Sequence, residues 1–157
     1  MDNQLKLPPH SNGPRTSTRV GALRFRRVAA RGDAELRRAV AVVSKDESIV
    51  NFITDNMSDG WVVESCADPH RAHSVLDGKG VKIVVIDDEA IEESSRGWLL
   101  DQVRKRAPHA LVAYIAADHS PESERRARAY DVNYYTAKPL DRERTLRVLH
   151  AFAGAAR

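Results

Sequence analysis

From residue 39 onward, short runs of β-branched apolar residues alternate with longer segments whose apolar residues recur at helical spacing. Short continuous apolar runs are typical of strands that are covered on both faces, and helical crossovers are what joins parallel strands. The alternation therefore predicts one doubly wound α/β domain over residues 39–157, with helices on both faces of a five-stranded parallel sheet.

The boundaries of the elements follow from where each apolar pattern begins and ends. The predicted strands span residues 39–44, 61–66, 81–87, 110–117 and 132–137. The predicted helices span residues 47–58, 68–78, 95–106, 120–130 and 140–155.

Positive charge is concentrated in residues 1–38, which contain nine Lys or Arg and three Asp or Glu. Residues 39–157 contain sixteen Lys or Arg and nineteen Asp or Glu, so the domain itself is weakly acidic. Residues 1–20 are rich in Pro, Ser, Thr and Asn, and we expect the basic extension 1–38 to be largely disordered. Its arginines could bind a nucleotide, a nucleic acid or another polyanion. The candidates are Arg15, Arg19, Arg24, Arg26, Arg27 and Arg31.

The single cysteine cannot form an internal disulfide, as suits a reducing compartment. No stretch approaches the roughly 18 consecutive apolar residues of a membrane span, and the first residues lack the apolar core of a signal peptide. We therefore expect a cytoplasmic protein with no membrane span.

Two acids, Asp87 and Asp88, directly follow the apolar run of the third predicted strand. In a doubly wound sheet the carboxyl ends of the parallel strands meet at one edge, and ligands bind there. Further polar residues follow the first and fifth strands and reach the same edge, namely Ser44, Lys45, Asp46 and Lys138. The sequence thus predicts a polar site at this edge of the sheet.

Over residues 39–155 the chain resembles the receiver domain of two-component response regulators, a flavodoxin-like module that accepts a phosphoryl group from a histidine kinase. Asp87 in the segment IVVIDD matches the phosphoacceptor aspartate, and Lys138 of a Lys-Pro pair matches the lysine after the fifth strand. Tyr135 falls on the aromatic switch position. The resemblance implies a flavodoxin-like (βα)5 sandwich.

The chain departs from this family at positions that carry its chemistry. A carboxylate attacks phosphorus only when positive groups neutralise the repulsion between anions, and the family normally holds a divalent cation with two acids after the first strand. This chain has Ser44 and Lys45 there, and Ala116 where a Ser or Thr hydroxyl is expected. Lys45 could replace the cation as a fixed charge. The predicted pocket around Asp87 comprises Ser44, Lys45, Asp46, Asp88, Ala116 and Lys138.

These departures predict a pseudo-receiver with weak or no Mg²⁺-dependent phosphorylation, no catalytic residue, no cofactor and no enzymatic activity. We expect it to act in bacterial two-component-type signalling through protein–protein contacts, with a histidine kinase or another signalling protein as partner. In the family, the fourth helix, fifth strand and fifth helix commonly form partner and dimer contacts. The resemblance therefore points to Tyr135 and the arginine-rich fifth helix, and a homodimer stays open.

Two other functions also stay open. Asp87 could be a competent phosphoacceptor, with Asp46 or Asp88 helping to hold Mg²⁺, in which case Asp46 and Asp87 are the candidate metal ligands. The chain could instead be an adaptor whose arginine-rich segment 15–31 binds a nucleotide or nucleic acid. The simplest role for Asp87 is that of a strand-end acid capping the next loop.

Overall fold

Five parallel strands form one sheet in the computed structural model, which describes residues 37–78 and 80–156. The strands are β1 (Arg38–Val43), β2 (Trp61–Cys66), β3 (Val81–Asp87), β4 (Leu111–Ala116) and β5 (Tyr134–Ala137). Their order across the sheet is β2-β1-β3-β4-β5, and every pair is parallel. This is the strand order of flavodoxin-like folds, so the predicted fold is confirmed.

Each strand is followed by an α-helix, which gives five helices within the described residues. They are α1 (Glu47–Asn56), α2 (His73–Leu76), α3 (Glu93–Arg106), α4 (Pro121–Arg128) and α5 (Arg142–Ala155), and two 3-10 turns lie at Pro69–Arg71 and Asp88–Ala90. No helix in the described part of the chain has the length and apolar character needed to cross a membrane.

The core has two layers, one on each face of the sheet, because side chains alternate along a strand. On β1, Val40 and Val42 face one layer, which also contains Ile49 and Ile53 of α1 and Leu149 of α5. Ala41 and Val43 face the other layer, which contains apolar residues of α2, α3 and α4. Both faces are therefore covered, as the apolar runs in the sequence predict.

The second helical segment differs most from the prediction. Residues 68–78 form a 3-10 turn and a one-turn α-helix instead of one continuous helix. Asp68 accepts a hydrogen bond from the N–H of His70, and Pro69 occupies the first position, as expected for an N-terminal cap. Elsewhere α3 begins at Glu93, two residues before the prediction, and β5 begins at Tyr134, two residues after it.

The basic extension lies almost entirely outside the described residues, including its six candidate polyanion-binding arginines. Arg38 begins β1, one residue before the predicted start of the domain.

Candidate functional site

Asp87 ends β3, the middle strand of the sheet, so its carboxylate lies at the carboxyl edge between the ends of β1 and β4. The residue is 1% exposed. Its Oδ2 accepts a hydrogen bond of 2.8 Å from the Ser44 hydroxyl, and its Oδ1 accepts one of 3.2 Å from the N–H of Glu89. Both oxygens of this buried carboxylate therefore have a partner, as a buried charge requires.

Lys138 brings a positive charge to the same carboxylate. Its backbone N–H donates to the carbonyl of Ala116 at the end of β4, which holds the residue after β5 against the sheet. Its Nζ lies 3.1 Å from Oδ2 of Asp87 and 3.7 Å from Oδ2 of Asp46, and it also contacts the Glu89 carboxylate. One ammonium group is thus surrounded by three carboxylates.

These contacts keep Lys138 charged. Burial by itself lowers the pKa of Lys138, but hydrogen bonds and charge–charge attraction from Glu89 and Asp87 outweigh burial and raise the pKa above its ordinary value. Lys138 therefore acts as a fixed cation in this site at neutral pH.

Asp46 serves two purposes at the start of α1. Its Oδ1 accepts a hydrogen bond of 2.9 Å from the N–H of Ser48, which caps the helix, and its own N–H donates to the Ser44 hydroxyl. The hydrogen bonds from Ser48, and more weakly the charge of Lys138, hold the pKa of Asp46 below its usual value. Asp46 therefore contributes a negative charge beside Lys138.

A cavity of about 290 Å³ opens beside Asp87 and is lined by Lys45, Asp46, Asp87 and Glu89. Lys45 is exposed and, within the described part of the chain, makes no ion pair. Lys138 is thus the residue that pairs with Asp87, and Lys45 lines the cavity beside it. The suggestion that Lys45 could replace the cation stays a prediction.

Asp88 lies apart from this pocket. Its side chain is turned toward β4, where Oδ2 accepts a hydrogen bond of 2.9 Å from the Tyr114 hydroxyl and Oδ1 accepts one of 2.6 Å from the N–H of Ala117. Arg96 of α3 places Nη1 3.5 Å from the same carboxylate. The expectation that Asp88 joins Asp87 in one pocket is corrected, because the 3-10 turn directs the two neighbouring side chains to different partners.

No protein-family model matches the sequence, and no curated protein matches it. Solved structures do match. A CheY-like receiver domain from Methanospirillum hungatei JF-1 superposes with a TM-score of 0.65 at 15% identity over 76% of this chain and 95% of that one. A response regulator from Thermotoga maritima superposes with a TM-score of 0.65 at 18% identity and covers 76% of this chain and 99% of its own. The chemotaxis response regulator CheY4 of Vibrio cholerae superposes with a TM-score of 0.61 at 19% identity and covers 73% of this chain and 98% of its own. The chain has the fold of a CheY-like receiver domain.

The resemblance assigns the response to phosphorylation to two positions of this fold, 116 and 135. Ala116 ends β4, is fully buried and lies in register with Ala137 of β5. Tyr135 of β5 stacks on Tyr114 of β4, with ring centroids 5.9 Å apart and an interplanar angle of 8°. The Tyr135 hydroxyl is buried and has no hydrogen-bond partner among the described residues. Burial is the main reason that the pKa of Tyr135 is raised.

The groups around Asp87 are a poor fit for Mg²⁺. Mg²⁺ in proteins takes near-octahedral oxygen ligands from one or two carboxylates and several waters. In this receiver fold one Asp46 oxygen caps α1, and the position facing the remaining carboxylates is taken by the Lys138 ammonium. Within residues 37–78 and 80–156, no group of three or more His, Cys, Asp or Glu side chains is arranged to hold a metal ion.

Three residues of this region were missed by the sequence reasoning. Glu89 is an exposed loop acid in the sequence, and only the structure places it on Lys138. Tyr114 and Arg96 pair with Asp88, although one lies in β4 and the other in α3. A tyrosine within the apolar run of β4 is the one available signal, because a buried hydroxyl needs a partner.

Proposed function

We propose that this chain is an atypical receiver domain that takes part in two-component-type signal transduction by binding a partner protein, without regular Mg²⁺-dependent phosphorylation. The observation that carries the proposal is the absence of an acid beside Asp87 at the end of β1. Ser44 stands there, and its hydroxyl donates to Oδ2 of Asp87, while Oδ1 of Asp87 accepts from the N–H of Glu89.

These contacts weaken Asp87 as a nucleophile toward a phosphoryl group. An attacking oxygen would have to give up a hydrogen bond or an ion pair in a site that is 1% exposed. The incoming group would also meet Asp46 and Glu89, whose negative charges lie close to the same lysine. A single ammonium is a point charge and does not bridge phosphoryl and carboxylate oxygens as a divalent cation does.

If the pocket is not a chemical switch, the output of the domain is set by what binds to its surface. The exposed side of α5 carries Arg142, Arg144 and Arg147, for which the described residues show no ion pair. Exposed arginines without an internal acid favour association with an acidic protein surface. This supports a signalling protein, such as a histidine kinase, as the partner, with contacts that include α5 and Tyr135 of the edge strand β5.

A second function keeps specific support. The 3.1 Å contact between Lys138 and Asp87 is the lysine–aspartate arrangement implied by the resemblance for a phosphoacceptor site. A competent phosphoacceptor would use Asp87 with Asp46 as the cation ligand. The two functions differ in whether the pocket responds to a divalent cation and a phosphoryl mimic.

The test is a two-dimensional NMR titration of the ¹⁵N-labelled protein with Mg²⁺ and then with beryllofluoride. We expect no Mg²⁺-dependent shift of the Asp87, Lys138 or Tyr135 amides. The matched control is the double variant Ser44→Asp, Lys45→Asp, which restores adjacent acids after β1 and should gain Mg²⁺-dependent shifts around Asp87. A Mg²⁺-dependent response of the unsubstituted protein would refute the proposal and establish the phosphoacceptor function.

A further inference from the structure

A second cavity lies between α1 and the segment that joins β5 to α5, next to the cavity beside Asp87. Its volume is about 330 Å³, at the lower end of the roughly 300–1,000 Å³ typical of small-molecule sites. Residues of α1 form one part of its lining, and residues 138–140 with Arg142 form the other. The cavity therefore has the size for a small ligand held between two elements of the fold.

Much of the lining is apolar. Ile49 and Phe52 contribute side chains from α1, and Pro139 and Leu140 contribute theirs from the opposite part of the lining. Ile49 is buried, and Phe52 and Leu140 are partly buried against the core layer that α1 and α5 share. A ring placed against these side chains would be removed from water, which is the main source of affinity for an apolar group.

Arg142 supplies a positive charge that the protein itself leaves available. Its guanidinium lies over the Phe52 ring, 5.5 Å from the ring centroid. Within the described residues this guanidinium makes no hydrogen bond and no ion pair. A cation–π contact holds the group at the cavity but uses none of its N–H donors, and those donors match the two oxygens of a carboxylate.

The other charges of the lining restrict the ligand further. Lys138 is already shared by the carboxylates of Asp46, Asp87 and Glu89. Asp46 also lines the cavity, and its negative charge disfavours a phosphate or another multiply charged anion. A cation would be repelled by Arg142. The lining therefore favours a ligand with one negative charge and an apolar body.

We propose that this cavity binds a small aromatic carboxylic acid. The ring would lie against Ile49, Phe52 and Leu140, and the carboxylate would accept hydrogen bonds from the Arg142 guanidinium. Arg142 also belongs to the exposed side of α5, so a bound acid would occupy one of the arginines offered to a partner. That last consequence rests on the proposed function, whereas the binding site itself does not.

The test is an NMR titration of the ¹⁵N-labelled full chain with 2-naphthoate in the absence of Mg²⁺. We expect saturable shifts of the amides of residues 48–52 and 140–142. The matched compound is 2-naphthylmethanol, which keeps the ring and carries no charge. It should bind at least about tenfold more weakly, because hydrogen bonds to a charged group are the stronger ones.

Two arginine variants separate the site from general attraction to a basic helix. Arg142→Gln should weaken 2-naphthoate binding at least about tenfold and change binding of the alcohol much less. Arg144→Gln is the matched control, because Arg144 is exposed on the same helix and does not line the cavity. It should leave both affinities unchanged. Both positions are exposed, and the dispersion of the spectrum verifies that each variant is folded.

Three results would overturn the proposal. They are the absence of saturable shifts at the cavity, equal losses of affinity in Arg142→Gln and Arg144→Gln, and equal affinities for the acid and the alcohol. The titration includes no Mg²⁺, phosphoryl mimic or partner protein. Its failure would therefore leave the proposed function standing, and a failure of the proposed function would leave this site standing.

Discussion

Replacing Tyr114 by Phe tests whether the buried Asp88 cluster stabilises the fold. The substitution removes one hydroxyl and keeps the ring that stacks on Tyr135. That hydroxyl donates a 2.9 Å hydrogen bond to a carboxylate that is 2% exposed. A hydrogen bond to a charged group contributes about 1.5–3 kcal/mol, because removing it leaves the charge under-solvated. Asp88 would keep only the Ala117 N–H and Arg96.

The assay is equilibrium unfolding in urea, followed by circular dichroism. With a slope of about 2 kcal/mol per M for a domain of this size, the midpoint should fall by roughly 1 M with the slope unchanged. A change in slope would indicate instead an altered denatured or native state.

Tyr134→Phe is the matched control, since it makes the same chemical change on the opposite face of the sheet. The Tyr134 hydroxyl is buried without a partner among the described residues. Removing an unpaired buried hydroxyl should leave stability unchanged or raise it by up to about 1 kcal/mol. If Tyr114→Phe lowered the free energy of unfolding no more than Tyr134→Phe does, the reasoning about the Asp88 cluster would be refuted.

Three further results are expected from unfolding measurements. Lys138→Met should destabilise the protein by about 1–3 kcal/mol because Asp87 loses its cation, and adding Asp87→Asn should recover part of this loss; an additive double variant would contradict the ion pair. The pKa of Lys138 is raised in the folded state, so its contribution to stability is complete below its pKa in the unfolded chain, about 10.4, and is lost as the pH rises through its pKa in the folded protein. The stability difference between the unsubstituted protein and Lys138→Met should therefore shrink only in strong alkali. Gly80→Ala should lower the free energy of unfolding by well over about 1 kcal/mol, because φ is +90° and a Cβ would lie 1.9 Å from the Arg37 carbonyl oxygen. Gly60→Ala, where φ is +88° and the space around a Cβ is open, should lower it by about 1 kcal/mol. Equal losses of stability would contradict the close approach at Gly80.

Much of the fold could be predicted from local sequence. Continuous apolar runs such as IVVI, residues 83–86, indicate burial on both faces, and the helical segments between them indicate parallel crossovers. The sequence predicts too long a second helix. Its Asp cap, Pro and following Gly indicate where a helix starts and stops, but not whether the residues between them form a continuous helix. Short elements depend on tertiary packing more than on capping signals.

The site was predictable in its members but not in their pairing. Asp87, Ser44 and Lys138 lie at strand ends, and parallel topology alone brings strand ends together. The sequence gives no comparable signal for Lys45 or Glu89, since both are loop residues whose side chains could turn either way. The structure directs Glu89 to Lys138 and leaves Lys45 exposed.

By itself the sequence determined the layered sheet, the position of Asp87 at its carboxyl edge and the absence of a hydroxyl at Ala116, because each follows from residue type and the period of the pattern. Only the tertiary structure decided that Asp87 and Asp88, adjacent in the chain, belong to separate clusters. The physical reason is that each buried carboxylate must find donors, and those donors come from different strands: Ser44 and Lys138 for Asp87, and Tyr114 for Asp88.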